Sequence, residues 1–258
     1  MTVKGMANNQ MSNAMMRVAS GKRINSAADD AAGLAISTKM DAQIRGYEQG
    51  IANTRDMQNL TNTAEGGLAT IGGALGRIRE LSLQASNGIY TDADRQLIQG
   101  EISQLADHIQ TTVKNTEFNT IPLLDGSAQS LHTASYPDGS GTTVNINDMS
   151  GLAKAIANFN VTGEFNIGDI DAAMAEVNGE RANLGALSNR FDFTADANSL
   201  TALNMADARS RIADADMVKE MMNVRKEQTL SQIQILMQQN EQARMRNQQI
   251  NPIVAPAQ

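Results

Sequence analysis

Hydrophobic residues recur every three or four positions over two long stretches of the chain, one in each half. The first stretch covers residues 34–85 and begins with the apolar positions Ile36, Met40 and Ile44. The second stretch starts near residue 167. At 3.6 residues per turn, this spacing places the apolar side chains on one face of an α-helix. We therefore predict a long amphipathic helix in each half.

Three shorter stretches with the same spacing predict further helices. The first covers residues 6–20. We expect this helix to end at Gly21, because glycine favours the left-handed conformation that ends a helix. The second follows a turn, where Thr91 or Asp92 is expected to accept hydrogen bonds from the first helical N–H groups. The third is the stripe at 212–237, which predicts a helix near the C-terminus.

The helix predicted over residues 34–85 contains glycines, which lower helix stability by up to about 1 kcal/mol each relative to alanine. We interpret them as positions where a neighbouring helix approaches closely, so that packing keeps the helix straight. The alternative is that the segment is broken into shorter helices. These glycines are Gly46, Gly50, Gly66, Gly67, Gly72, Gly73 and Gly76.

The segment between the two helical halves has a different pattern. Residues 119–150 are rich in Gly, Pro, Asp and Asn, which favour turns. Residues 137–141 are typical of a tight turn, and residues 142–146 alternate as a strand does, so a small β-hairpin is predicted. The predicted fold class is mainly α, an elongated bundle of long antiparallel, coaxial helices from both chain ends with a small β-hairpin insert.

Composition narrows the class of protein. Only 3% of the residues are aromatic, Trp and Cys are absent, and there are 15 Met. This mixture suits helix–helix contacts, and the lack of Cys excludes disulfide and thiolate chemistry. The formal net charge of −7 argues against nucleic-acid binding, which needs a basic surface. No stretch approaches the roughly 20 apolar residues of a membrane span, and the N-terminus lacks the apolar run of a signal peptide.

Candidate catalytic and metal-binding groups are few. Asp29 and Asp30 are adjacent carboxylates, but no histidine accompanies them, so we interpret them as groups that cap a helix or order a loop. His108 and His132 are too far apart for a helical zinc motif. The sequence therefore predicts no enzyme activity, no metal site and no cofactor.

Several segments resemble those of bacterial flagellin, and they occur in the order typical of that family. In the first half they are RINSAADDAAGLAIS at 23–37, QIRG at 43–46, TAEG at 63–66, RIREL at 77–81, QASNG at 84–88 and NTEFN at 115–119. In the second half they are RANLGALSNRF at 181–191 and SRIADAD at 210–216. The resemblance covers roughly residues 20–125 and 167–240.

The resemblance implies an order of domains along the chain. Both ends are atypical for the family, with a short N-terminal helix and a C-terminus in which Pro252 and Pro256 are expected to end any helix. The implied domains are a shortened N-terminal filament-core helix at 1–20, a linking loop at 21–33, the N-terminal half of a helical rod domain at 34–118, a β-hairpin and short variable insert at 119–166, the C-terminal part of the rod domain at 167–205, and a C-terminal filament-core helix and tail at 206–258.

The function implied by the resemblance is that of a structural subunit that polymerises into the bacterial flagellar filament for motility. The implied partners are copies of itself in a helical homopolymer, a flagellar export chaperone, and cap and hook-associated proteins. The implied location is the extracellular flagellum, reached by type III export. The alternatives are a minor or truncated flagellin, a hook–filament junction protein, or a secreted host-binding module that does not polymerise.

Two groups of residues match motifs to which the family assigns contacts. One group is expected to contact neighbouring protomers or a flagellin-sensing Toll-like receptor, whereas the alternative for Arg77 and Glu80 is an ion pair on a solvated helix face. The other group is the linking-loop motif, in which Ser26, Asp29 or Asp30 is expected to cap the next helix. The contact residues are Leu75, Arg77, Arg79, Glu80, Leu81, Gln84 and Glu101, and the linking-loop residues are Arg23, Asn25, Asp29, Asp30 and Gly33.

Overall fold

The computed structural model describes residues 3–128 and 130–250, and these residues form six helices and two small antiparallel hairpins. Long helices in both halves and a small hairpin confirm the mainly α class. The helices are α1 (Val3–Ser20), α2 (Ala31–Ala85), α3 (Asp92–Asn115), α4 (Ser150–Ala157), α5 (Ile167–Ala213) and α6 (Met217–Ile250), and the strands are β1 (Glu117–Phe118), β2 (Ile121–Pro122), β3 (Leu131–Ala134) and β4 (Gly141–Val144).

The chain divides into two compact units. Unit 1 contains the described residues up to Ala42 and from Asn204 onward, and unit 2 contains Gln43–Leu203. None of the helices in the described part of the chain is long and apolar enough to cross a membrane. The C-terminal prolines, which the sequence predicts to end the last helix, lie outside the described residues.

Helix α2 is continuous, so the alternative that its glycines break it into pieces is wrong. Gly50 lies against the backbone of Ser135, whose carbonyl oxygen an added Cβ would overlap, and a Cβ at Gly46 would lie 2.6 Å from Pro137 Cβ. Gly66 and Gly73, in contrast, face open space. The closest approach is therefore made by the loop that follows β3, and not by a neighbouring helix as predicted.

The core of unit 2 is formed by the facing apolar stripes of α2, α3 and α5 together with the insert between α3 and α5. Its largest fully buried side chains include Leu68, Ile71, Leu75, Ile78, Ile102, Ile109, Ile170, Leu184 and Phe191. Ion pairs join α2 to α5 at two levels, because Arg79 lies 2.6 Å from Asp171 and Arg181 lies 2.7 Å from Glu65. These pairings show that α2 and α5 run antiparallel in this unit.

The predicted β-hairpin is present as β3 and β4, with Leu131 paired to Val144 and Ala134 paired to Gly141. The loop between the strands is held by buried polar groups. Ser135 is its anchor, because its carbonyl accepts a hydrogen bond from Asn198 Nδ2 at 2.7 Å and its Oγ accepts one from Thr54 Oγ1 at 3.0 Å. The hairpin is thereby attached to both α2 and α5.

The insert contains elements that the sequence pattern did not predict. Strands β1 and β2 form a two-residue hairpin whose turn residues, Asn119 and Thr120, have positive φ angles of 48° and 65°. The short helix α4 follows β4, and the loop that precedes it is fixed by Glu180, which is only 2% exposed. Asn147 Nδ2 donates to Glu180 Oε2 at 2.7 Å, and the Asn147 N–H donates to Oε1 at 3.2 Å. A buried carboxylate thus holds the loop against α5.

In unit 1, α1 packs along α6. The stripe at 212–237 predicts one continuous helix, but residues 214–216 separate α5 from α6. The continuity prediction is wrong because Ala215 N–H donates to the carbonyl of Gly21 at 2.9 Å instead of to a carbonyl one helical turn earlier. Asp216 then starts α6 by accepting a hydrogen bond from the Val218 N–H at 3.0 Å.

Candidate assembly surfaces

The linking loop pairs with the break between α5 and α6. Lys22 and Asp214 form an antiparallel β-bridge, and the Arg23 N–H donates to the Ala213 carbonyl at 2.7 Å. The Arg23 guanidinium also donates to the Ile212 carbonyl at 2.6 Å. Two segments far apart in sequence therefore form a short ladder that fixes where α1 ends and α6 begins.

Two carboxylates order the rest of the linking loop. The Asp29 carboxylate accepts hydrogen bonds from the N–H groups of Asn25 and Ser26 at 3.1 and 3.0 Å, and these bonds lower the pKa of Asp29, that from Asn25 most. The Asp30 carboxylate accepts a bond from the Gly33 N–H at 2.8 Å, so Asp30 caps the start of α2 as predicted. The adjacent carboxylates have structural partners within their own loop.

Gly33 and Asn25 complete the motif. A Cβ on Gly33 would lie 2.5 Å from Asp30 Oδ2 and 2.7 Å from Ile24 Cδ1, so the turn has no room for a side chain at this position. Asn25 Nδ2 donates to the Lys22 carbonyl at 3.0 Å. The structure thus brings the five residues of the sequence motif together in the linking loop and the first turn of α2.

Sequence reasoning missed the ion pairs that surround this loop. Arg17 of α1 lies 3.8 Å from Asp29 and 3.7 Å from Glu220 of α6. Arg209 lies 2.6 Å from Asp41, and this hydrogen bond raises the pKa of Arg209. No short-range spacing signals these pairs, because each joins residues from different parts of the chain.

The paired helices α1 and α6 leave an apolar groove open to solvent. Met15, Val18 and Ala19 of α1 and Met221 and Val224 of α6 line a cavity of about 310 Å³. Met15 and Met221 are exposed. Apolar side chains that converge on an exposed groove are typical of an interaction surface.

Three of the predicted contact residues on α2 and α3 are charged, exposed and paired with one another. Arg77 lies 2.8 Å from Glu101 of α3 and 3.1 Å from Glu80, and these hydrogen bonds raise the pKa of Arg77, that with Glu101 most. We call Arg77, Glu80 and Glu101 the charged ridge. The ion pair between Arg77 and Glu80 that the sequence offered as an alternative is present.

The remaining predicted contact residues are not all at the surface. Leu75 and Leu81 are buried in the core of unit 2. Arg79 points toward α5, where it pairs with Asp171, and Gln84 Nε2 donates to the hydroxyl of Tyr90 at 3.0 Å. Leu81, which the sequence predicts to be a contact residue, is therefore inaccessible in this chain, because that face of α2 is covered by the core.

Metal-binding chemistry has no support in the part of the chain that is described. Over residues 3–128 and 130–250, no group of three or more His, Cys, Asp or Glu side chains is arranged to hold a metal ion. The ring nitrogens of His132 lie near Thr143 Oγ1 and the carbonyl of Gly139, at 3.5 and 3.3 Å, within the β3–β4 hairpin.

Comparisons with known proteins agree with this architecture. The family model for the bacterial flagellin N-terminal helical region matches residues 2–129, and that for the bacterial flagellin C-terminal helical region matches residues 167–250. A flagellar filament 30.7 kDa core protein of Treponema maltophilum is 35% identical in an alignment that covers 93% of this chain and 92% of that protein. A flagellin of Halalkalibacterium halodurans is 38% identical over 244 residues, covering 91% and 89%.

Among solved structures, the crystal structure of Bacillus cereus flagellin is similar, with a TM-score of 0.52 and 30% identity over 61% of this chain and 94% of that one. The helical architecture and these matches define the class as a structural filament protein. The chain belongs to the bacterial flagellin family and is a structural subunit of the flagellar filament.

Proposed function

We propose that the paired helices α1 and α6, which lie within the predicted filament-core segments 1–20 and 206–258, drive polymerisation of this chain outside the cell. The observation that carries the proposal is the open apolar face of this pair. A single copy leaves these side chains in water. Contact with neighbouring copies would bury them, and each Å² of buried apolar surface would stabilise the filament by about 25 cal/mol. The large apolar residues that are exposed on the described part of α6 include Met217, Val218, Met221, Met222, Leu230, Ile233, Ile235, Leu236, Met237 and Met245.

The experiment that tests this function is seeded polymerisation of the full chain. We expect Met221→Asp combined with Val224→Asp to abolish growth from sheared seeds, because two charges would be buried at the groove. The matched control is Thr229→Asp combined with Gln232→Asp, which adds the same charge to α6 at residues that do not line the groove. Electron microscopy and sedimentation report filaments, and circular dichroism reports folding. Normal filaments from the groove variant would refute the proposal.

The linking loop supports this role by keeping α1 and α6 together. Its ladder to residues 213–215 and the contact between Arg17 and Glu220 join the two helices of unit 1 in each copy. We propose that the loop presents both helices as one surface, so that they enter the filament as a pair.

We propose that the charged ridge contacts a neighbouring protomer. Arg77, Glu80 and Glu101 are exposed, and their mutual ion pairs hold the side chains in place at little further entropic cost. The ridge is also our candidate for recognition by a flagellin-sensing Toll-like receptor. Recognition there would depend on the polar groups, because Leu81 is buried.

Other partners follow from the same exposed helix faces. An export chaperone is proposed to cover the apolar face of α6 before secretion, and cap and hook-associated proteins are proposed to bind α1 and α6 at the ends of the filament. No catalytic step is part of this function, and no cofactor enters it. Type III export is proposed as the route out of the cell.

The alternative functions predict different results in the seeded polymerisation experiment. A minor flagellin or a hook–filament junction protein would join seeds of another flagellin but grow poorly alone. A secreted host-binding module would stay monomeric at high concentration and give no filaments with any seed.

A further inference from the structure

Unit 2 carries three exposed apolar residues at and beside the turn between α2 and α3. Leu83, Ile89 and Leu97 are 60%, 78% and 77% exposed, and we call them the turn patch. Leu83 and Leu97 lie off the buried stripes of their helices, so packing within the chain does not explain their apolar character. Single exposed apolar residues are common, but three between residues 83 and 97 favour a contact surface.

A second apolar surface lies beside the β3–β4 hairpin. A groove of about 480 Å³, which we call the hairpin groove, is lined by Tyr136, Ala186, Phe193 and Ala197 together with the polar residues Asn189, Arg190 and Thr194. Phe193 is 76% exposed. An aromatic ring that is largely in solvent beside a second aromatic ring and small residues is typical of a site that receives an apolar partner.

The two surfaces are far apart on unit 2. The loop that bears Tyr136 rests on Gly50, and about 50 Å of continuous helix separates Gly50 from Leu83 at 1.5 Å per residue. One copy therefore cannot bring its own turn patch into its own hairpin groove. Two different surfaces that match each other between copies make a heterologous contact, which propagates without closing into a dimer.

Charge favours the same pairing. Arg190 is the charged residue that lines the hairpin groove, it is exposed, and it forms no ion pair with the described residues. Asp92 begins α3 beside the turn patch, is exposed, and likewise has no ion-pair partner in the described part of the chain. An unpaired anion next to one apolar surface and an unpaired cation within the other give electrostatic complementarity between copies.

We propose that the turn patch of one copy occupies the hairpin groove of the next copy, with Asp92 placed against Arg190. This contact rests on the proposed function, because it is one of the contacts by which copies join. Its occupant is a second copy of this chain, since the complementary surface is present on the same molecule and the family forms filaments.

The absence of Cys from the chain allows a direct test by crosslinking. In the full-length variant Ile89→Cys with Phe193→Cys, mild oxidation of filaments and of concentrated soluble protein should give a ladder of disulfide-linked multimers. The matched control is Ile89→Cys with Ser199→Cys, which moves one thiol to an exposed position of α5 outside the groove. This control should give at least tenfold less disulfide-linked multimer. Either single variant should give at most dimers.

A charge exchange gives the second test. Asp92→Arg alone and Arg190→Asp alone should each slow seeded growth severalfold, and the combined variant should recover the rate. Filaments that form with neither a ladder nor an effect of the charge variants would overturn the contact and leave the proposed function standing. If the unmodified protein forms no filaments, the proposed function is overturned. In that case, disulfide-linked multimers in the soluble protein would still support the contact, and their absence would overturn it.

Discussion

At the scale of single residues, the fold depends on a few places where backbone or buried polar groups approach closely. Gly50 gives room to the Ser135 carbonyl, and Glu180 is satisfied by Asn147. Neither contact is visible in the hydrophobic pattern, which reports only which face of a helix is apolar. Both are therefore better tests of the structure than another substitution in the apolar stripe.

The first prediction concerns the glycines of α2. Gly50→Ala should lower the free energy of unfolding by about 3 kcal/mol, because the new methyl group overlaps the Ser135 backbone. Gly73→Ala, in the same helix but facing open space, should raise it by about 0.5–1 kcal/mol. Urea unfolding followed by circular dichroism measures both, and equal effects of the two changes would contradict the close contact.

The second prediction concerns the buried carboxylate. Asn147→Ala should lower the free energy of unfolding by about 2 kcal/mol, because Glu180 would lose the Nδ2 donor while remaining buried. Asn145→Ala, two residues earlier and exposed, should change it by less than about 0.5 kcal/mol. Thermal and urea denaturation of the two variants distinguish them, and a neutral Asn147→Ala would show that Glu180 finds other donors.

At the scale of elements, some helix ends could be predicted from the local sequence and others could not. Gly21, with a φ of 68°, and Thr91, the N-cap of α3, were predicted because their signals are local. The break at 214–216 was not, because it depends on pairing with the linking loop. Likewise, the spacing of residues 75–84 located a helix, but only the packed core decides that Leu81 is buried while Arg77 is exposed.

The third prediction concerns the cap of α3. Thr91 and Asp94 form a reciprocal capping box, and hydrogen bonds from the Thr91 hydroxyl and N–H lower the pKa of Asp94. Thr91→Ala should lower the free energy of unfolding by about 1 kcal/mol. Thr201→Ala, inside α5, should be neutral or stabilising, because alanine is the better helix former. Urea unfolding measures the free energy of unfolding of both variants. An effect of the same size at both positions would exclude a capping role.

The fourth prediction concerns the pH dependence of the linking loop. The pKa of Asp29 is lowered in the folded chain, so its hydrogen bonds stabilise the loop fully above the unfolded value of about 3.8 and are lost as the pH falls through the lower, folded value. The Asn25 and Ser26 amides should then exchange with solvent faster. Carboxyl and amide NMR titrations measure both effects, and Asp29→Asn should remove the pH-dependent step. A step that persists in Asp29→Asn would assign it to another group.

At the scale of the whole molecule, net charge opposes the association that the apolar surfaces favour. Each copy carries a formal charge of −7, so subunits repel one another at low ionic strength. The mainly α class and the amphipathic helices follow from periodicity alone, and the family motifs give the order of segments. The proposed contact surfaces could not be predicted from periodicity or motifs, because they combine residues from separate elements.

The fifth prediction follows from that charge. Raising the salt concentration from about 0.01 M to about 0.15 M shortens the Debye length from about 30 Å to about 8 Å, so elongation from seeds should accelerate. Light scattering at matched protein and seed concentrations measures the rate, with circular dichroism as the control that the monomer stays folded. A rate that falls with salt would mean that attraction between opposite charges outweighs the net repulsion.

The division of the chain into units affects when each can fold. Unit 2 is one continuous segment, whereas unit 1 needs residues from both ends of the polypeptide. During synthesis all of unit 2 is translated before residues 213–215, which pair with residues 21–23. The N-terminal helix must therefore wait for the last fifth of the chain, and a nascent or prematurely terminated product has the central unit without the completed terminal one.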